Sequence, residues 1–183
     1  MYSKQQKSAS TRFTLLSVLA AFVFCLTGAV SVARAADPAS LLAQARTSAS
    51  QLNQDATTMQ SFAGNRLSWK SHAHQINLIK GHVNRMGEVL SQLHEARGDA
   101  SQVHQQAIDR ISPLLQEIAS NTTAVIDHLN ENQGHTWSPT YQSYVSENAR
   151  LTSELSGAIS NFVEYDKTKT RMDQLEQKLN TGE

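Results

Sequence analysis

The sequence predicts an all-α protein: an up-down-up-down antiparallel four-helix bundle with a long C-terminal helix able to overhang it, preceded by a cleavable signal peptide. Three observations predict the bundle. Apolar residues recur at alternating steps of three and four through most of the chain. Cap, proline and glycine signals divide that pattern into four stretches, and only a few residues separate one stretch from the next. Short links between helices of similar length force antiparallel neighbours.

The first 35 residues read as the signal peptide. Lys4, Lys7 and Arg12 form a basic head, an apolar run extends from Phe13 to Val32, and Ala33-Arg34-Ala35 places small residues at −3 and −1 of a cleavage site. Residues 36–183 are then a single domain in a periplasmic or secreted protein, about 148 residues long and able to bury roughly two thirds of its unfolded surface. Cys25, the only cysteine, lies in the segment removed, and Phe24 before it does not suit a lipidation site. A thiol-free mature chain excludes disulfides, thiol catalysis, covalent c-type haem and thiolate metal sites. Loss of Lys4, Lys7, Arg12 and Arg34 turns a balance of 16 basic against 16 acidic residues into 12 against 16. A mildly acidic chain without a basic stripe is a poor nucleic-acid binder.

The first helix, about 38–63, opens on Asp37-Pro38, an N-cap acid followed by proline at the first helical position. Its seam is Leu42, Ala45, Ala49, Leu52, Ala56, Met59 and Ala63, small enough for close helix approach, and Gly64-Asn65 stops it. The second helix, about 68–97, carries the most regular seam: Trp69, His72, Ile76, Ile79, Val83, Met86, Leu90 and Leu93, behind Ser68 as cap. The third, about 101–131 with Asp99 or Ser101 as cap, shows Ile108, Ile111, Leu115, Ile118, Thr122, Val125 and Leu129 in register on both sides of Pro113, so a kink is expected there and not a break. Gly87 and Pro113 fall at similar depth, and close backbone packing is expected between them, with a small cavity as the alternative. The fourth helix, about 139–179, starts at Ser138-Pro139 and runs through Tyr141, Tyr144, Leu151, Leu155, Ala158, Phe162 and Tyr165. After Asp166 the apolar pattern thins, and the overhang is expected to be a solvated helical tail, with self-association through 167–179 as the alternative use.

Chemistry has one candidate address. Counted inward from the end shared by the first and third connections, His72 comes level with His128, Tyr141 and Tyr144, with Trp69 and Trp137 at the rim. Asn148 on the seam and Asn121 on its flank follow at a depth of about 15 Å and suggest a hydrogen-bonded polar layer. His72 and His128 are the candidate metal ligands, since neutral imidazole suits zinc, copper, nickel or haem iron. Against that, His72 and His74 point about 200° apart on a helix, no Glu-x-x-His pair occurs, and the acids fall on outward faces. His82, His94 and His104 flank seams or termini and are expected to be solvated or snorkelling. Asn121-Thr122-Thr123 matches a glycosylation acceptor, but it lies within a predicted helix.

No nucleophile–base arrangement, paired catalytic carboxylates or phosphate-binding loop is present. The expectation is a non-catalytic binding or interaction protein without a cofactor. Its partner would be an envelope protein or a small ligand, not nucleic acid, and no stable membrane span would remain after signal cleavage. The alternative is a metal- or haem-binding bundle using His72 and His128.

Overall fold

The structure, a computed structural model, describes residues 37–63, 65, 67–133 and 135–181. The predicted signal peptide, Cys25, Gly64 and Gly134 lie outside them. The order is α1 (Pro38–Ala63), α2 (Trp69–Glu95), a 3-10 turn (Ala96–Asp99), α3 (Gln102–Glu131) and α4 (Pro139–Thr181), with no strand among the described residues. None of these helices is long and apolar enough to cross a membrane.

Each helix starts for a local reason. Asp37 O accepts the Leu41 amide at 3.0 Å ahead of Pro38. The Ser101 hydroxyl accepts the His104 amide at 3.3 Å, satisfying a donor that has no partner within the first turn of α3. Ser138 does the same for the Tyr141 amide at 3.3 Å. Ser68 stands at the N-cap of α2 but makes no such bond, and its hydroxyl meets Ser71 Oγ instead, at 3.2 Å. α3 runs unbroken through Pro113.

The helices form a bundle in which α1 and α3 each pack against both α2 and α4. Cross-helix pairs give the direction. His104 meets Asp166, Thr122 meets Asn148 and His128 packs on Tyr141, so numbers rise along α3 as they fall along α4. The same inversion relates α1 to α2, where Asp55 meets His82 and Phe62 meets His72, and α2 to α3, where His94 meets Ser112.

The core follows the apolar seams of α1 and α3 closely. Leu42, Ala45, Ala49, Leu52, Ala56 and Met59 of α1 are all buried, together with Leu41, and so are all seven seam residues expected of α3. α4 departs from expectation. Its buried face is Tyr141, Val145, Asn148, Thr152, Leu155, Ile159 and Val163, while Tyr144, Ala158 and Phe162 are half-buried and Tyr165 is exposed. Apart from the shared Tyr141, Leu151 and Leu155, the expected stripe is turned by one residue, about 100° on a helix. Bulky aromatics draw the sequence reading toward the flank, whereas the face that enters the core includes Thr152 beside Asn148, which the sequence already sets on the seam.

The α2–α3 contact also differs. At Gly87 an added Cβ would meet nothing within 4 Å. A groove of about 580 Å³ lies there, lined by Val83, Gly87, Leu90, Leu115 and Ala119 among others. The expected close packing of Gly87 opposite Pro113 is therefore replaced by an open seam. Glycine here costs helix stability with no packing return. Gly87→Ala is expected to stabilise the protein by about 0.5–1 kcal/mol, read as a higher urea midpoint at unchanged slope; a lower midpoint would mean that the groove closes on this residue in solution.

Candidate functional site

The end of the bundle where α2 and α4 begin holds an aromatic cluster. His72 and Tyr141 are fully buried. His72 Nδ1 lies 2.7 Å from the Tyr141 hydroxyl. The Phe62 ring approaches His72 edge-on at a centroid distance of 5.8 Å, and the His128 ring lies 5.4 Å from Tyr141 and 6.5 Å from Tyr144. His128 Nε2 is within 3.2 Å of the Ser138 hydroxyl, the same group that caps α4. Trp69 and Trp137 stay at the rim, partly and largely exposed, with Trp137 against His135.

Burial keeps both central groups neutral. It depresses the His72 pKa below the ordinary histidine value and pushes the Tyr141 phenol up, because either charged form would lose its hydration. His72 Nε2 has no partner. If Tyr141 donates to Nδ1, the single unpaired group is the Nε2–H; the reverse tautomer leaves both the tyrosine proton and the Nε2 lone pair unpaired. Donation by Tyr141 is therefore the cheaper arrangement, since each buried unpaired group costs about 1–3 kcal/mol.

The linkage has a definite sign. As pH falls below about 6.5 the unfolded chain takes up the His72 proton while the folded chain still refuses it, so stability is complete above that pH and is lost as pH drops toward the folded value. Urea midpoints measured at descending pH are expected to fall more steeply for the native protein than for His72→Asn. The other histidines are common to both proteins, so the difference between the two profiles isolates this ring. Parallel profiles would show that His72 is solvated.

The deeper polar positions do not form one layer. Asn148, 1% exposed, donates to Thr122 Oγ1 at 3.3 Å and its Oδ1 is unpartnered. Asn121 instead donates to the Tyr144 carbonyl at 2.6 Å, and the single Thr152 hydroxyl proton is shared between Asn53 Oδ1 at 3.3 Å and the Ala149 carbonyl of its own helix at 3.1 Å. These are separate ties: Asn121 and Thr122 each hold α4 to α3, and Thr152 holds it to α1.

Two further ties were not foreseen. Asp55 Oδ2 lies 3.0 Å from His82 Nε2 while its Oδ1 accepts from the buried Gln75 amide at 3.1 Å, joining α1 to α2. His104 Nε2 lies 2.8 Å from Asp166 Oδ2, joining α3 to α4. Of the three histidines expected to be solvated or snorkelling, His94 is exposed and reaches Ser112, whereas His82 and His104 are partly buried and each paired with an aspartate, partners the expectation did not include. The sequence signal for the first tie is that Asp55 adjoins the seam residue Ala56; for the second it appears only once Val163 is known to be buried, three residues before Asp166.

The cluster around Tyr141 can bury aromatic surface and hold neutral hydrogen bonds. Among the described residues no group of three or more histidine, cysteine, aspartate or glutamate side chains is placed to hold a metal ion. His72 and His128 are each engaged by a hydroxyl, His72 by Tyr141 and His128 by Ser138, and both rings pack on Tyr141. The chain matches no protein family, no curated protein and no solved structure.

Proposed function

We propose that the protein is an exported, non-catalytic interaction protein. Its body is an up-down-up-down antiparallel four-helix bundle that closes on its own side chains, and its α4 overhang presents the binding face. The inverted numbering of the cross-helix pairs supports that topology. The basic head, apolar run and small-residue site before Ala36 support export to the periplasm or the outside. The acidic balance of the remaining chain argues against nucleic acid as partner.

One observation carries the interaction reading. α4 is 43 residues long against 26 to 30 for the other three helices, and every residue from Lys167 to Thr181 is exposed, Met172, Leu175 and Leu179 among them. The extra length is about 20 Å of helix, and it adds nothing to the core described above.

A photo-crosslinking residue in place of Leu175, in cells that export the protein, is expected to yield a covalent adduct. The same residue in place of exposed Ser120 on α3 should not. Absence of any adduct from Leu175 would remove the interaction reading. The orphaned His72 Nε2 favours a second reading, a metal or haem site with His72 and His128 as ligands. Stoichiometric metal or a Soret band in protein purified without a histidine tag would replace the first reading with this one.

A further inference from the structure

The apolar residues of the α4 overhang do not continue the core seam. Val163 is the last buried residue of α4. Positions that would prolong its face are Asp166, Lys167, Thr170, Gln174 and Gln177, all polar. Asp166 and Thr170 instead lie along the start of α1, in a groove they share with Ala39 and Ala43. The apolar side chains move to the other side of the helix. Tyr165 is two residues from Val163, about 200° away around the axis, and Met172, Leu175 and Leu179 fall in line with it. Their exposures are 48%, 57%, 53% and 83% in that order. A frayed end of the bundle has no reason to carry an apolar stripe turned away from the bundle.

We propose that this stripe is one half of a parallel two-stranded coiled coil, and that its occupant is the same stripe on a second copy of the chain. The inference rests on the interaction reading and names its partner. Tyr165, Thr168, Met172, Leu175 and Leu179 follow the alternating four- and three-residue steps of a and d positions. Glu164, Arg171 and Lys178 then occupy g, and Lys169 and Glu176 occupy e. In a parallel pair each g residue faces the e residue five positions on in the other strand. Glu164 meets Lys169 and Arg171 meets Glu176, attractive in both cases and each occurring twice by symmetry. Antiparallel registers that keep the stripe matched each bring like charges together: Arg171 on Lys178, Arg171 on Arg171, or Lys178 on Lys178. The pattern therefore selects both the partner and its direction.

Charge also argues against a lipid surface. Lys167, Lys169, Arg171 and Lys178 are balanced by Glu164, Asp166, Asp173 and Glu176, whereas helices that lie on anionic membranes are rich in basic residues on the polar face. Above Tyr165 the groove beside α4 is lined by the small Gly157 and Ala158 but also by Glu154, Phe162 and, from α3, Arg110, so the pairing is confined to the overhang. Lys169 holds Asp173 on its own helix and keeps donors for the second copy's Glu164.

Sedimentation equilibrium on the exported protein, purified after loss of residues 1–35 and so free of Cys25, is expected to show the mass doubling as concentration rises. Leu175→Lys, at an exposed position, should hold it at the monomer mass with its helical circular dichroism unchanged. Glu176→Lys should weaken the dimer about tenfold, since two attractions become two repulsions, and adding Arg171→Glu should restore it. Met172→Cys should crosslink to its own counterpart on oxidation, as only a parallel in-register pair permits. A monomer at every concentration, or a dimer indifferent to Leu175→Lys, overturns the proposal, as does failure of the charge-swapped pair to recover. If the crosslinker at Leu175 captures a different protein, this inference fails while the interaction reading stands; if it captures nothing, both fail.

Discussion

Tyr141→Ala is expected to cost about 3–5 kcal/mol, the largest loss of any single truncation at the aromatic end. Tyr141 is a fully buried ring at the start of α4, against His72 of α2 and His128 of α3, so it touches two other helices at once. Truncation removes a large apolar area and leaves a void that these neighbours cannot fill without moving their helices. It also strips His72 Nδ1 of its hydrogen bond, and both imidazole nitrogens are then buried without partners. Domains of this size are stable by about 5–15 kcal/mol, so the loss is a large part of the whole. Urea unfolding followed by circular dichroism measures it, with Tyr141→Phe as the companion variant. Phenylalanine keeps the ring and deletes the hydroxyl, and should cost about 1–3 kcal/mol, the penalty of leaving the imidazole unpaired. A loss below about 1 kcal/mol for Tyr141→Ala would show that this end of the bundle is open in solution.

The second large effect comes from adding atoms. Ala49 is fully buried in the small-residue seam of α1, between Ala45 and Leu52, where α1 packs against α2 and α4. Ala49→Leu must push two helices apart or force strained rotamers, at about 1–3 kcal/mol. Ala43, two turns earlier and exposed, is the control: Ala43→Leu changes helix propensity little and should stay within about 0.5 kcal/mol. Thermal melts of the two variants side by side decide it. Equal midpoints would mean that α1 does not sit as closely on its neighbours as its alanine seam requires.

The aromatic end and its residues were legible in the letters to different degrees. His72, His128, Tyr141 and Tyr144 are brought together because helix lengths and short links fix which residues share a level, and both quantities are local. Counting levels could not reveal how each helix is rolled about its own axis. On α4 the seam position of Asn148 is readable, but the large side chains Tyr144, Phe162 and Tyr165 outweigh Thr152 by hydropathy. Yet Thr152 reaches Asn53 and Asn148 reaches Thr122, so the polar side is the side that enters the core. Hydropathy ranks residues by transfer from water and is blind to a partner that makes burial tolerable. The histidine–aspartate ties escaped for the same reason. His82 and Asp55 lie on different helices, and nothing in either helix alone announces the other.

The sequence by itself determined the helical class, the four periodic stretches and their caps, because an α-helix closes its hydrogen bonds within a few residues and advertises its buried side by periodicity. Only the tertiary structure decided that α4 is turned toward its polar face, that Gly87 opens a groove, that Asp55 and Asp166 bind histidines across helices, and that the last apolar residues of α4 face away from the body. Those outcomes depend on the roll of each helix against its neighbours, which is set by all four packing at once.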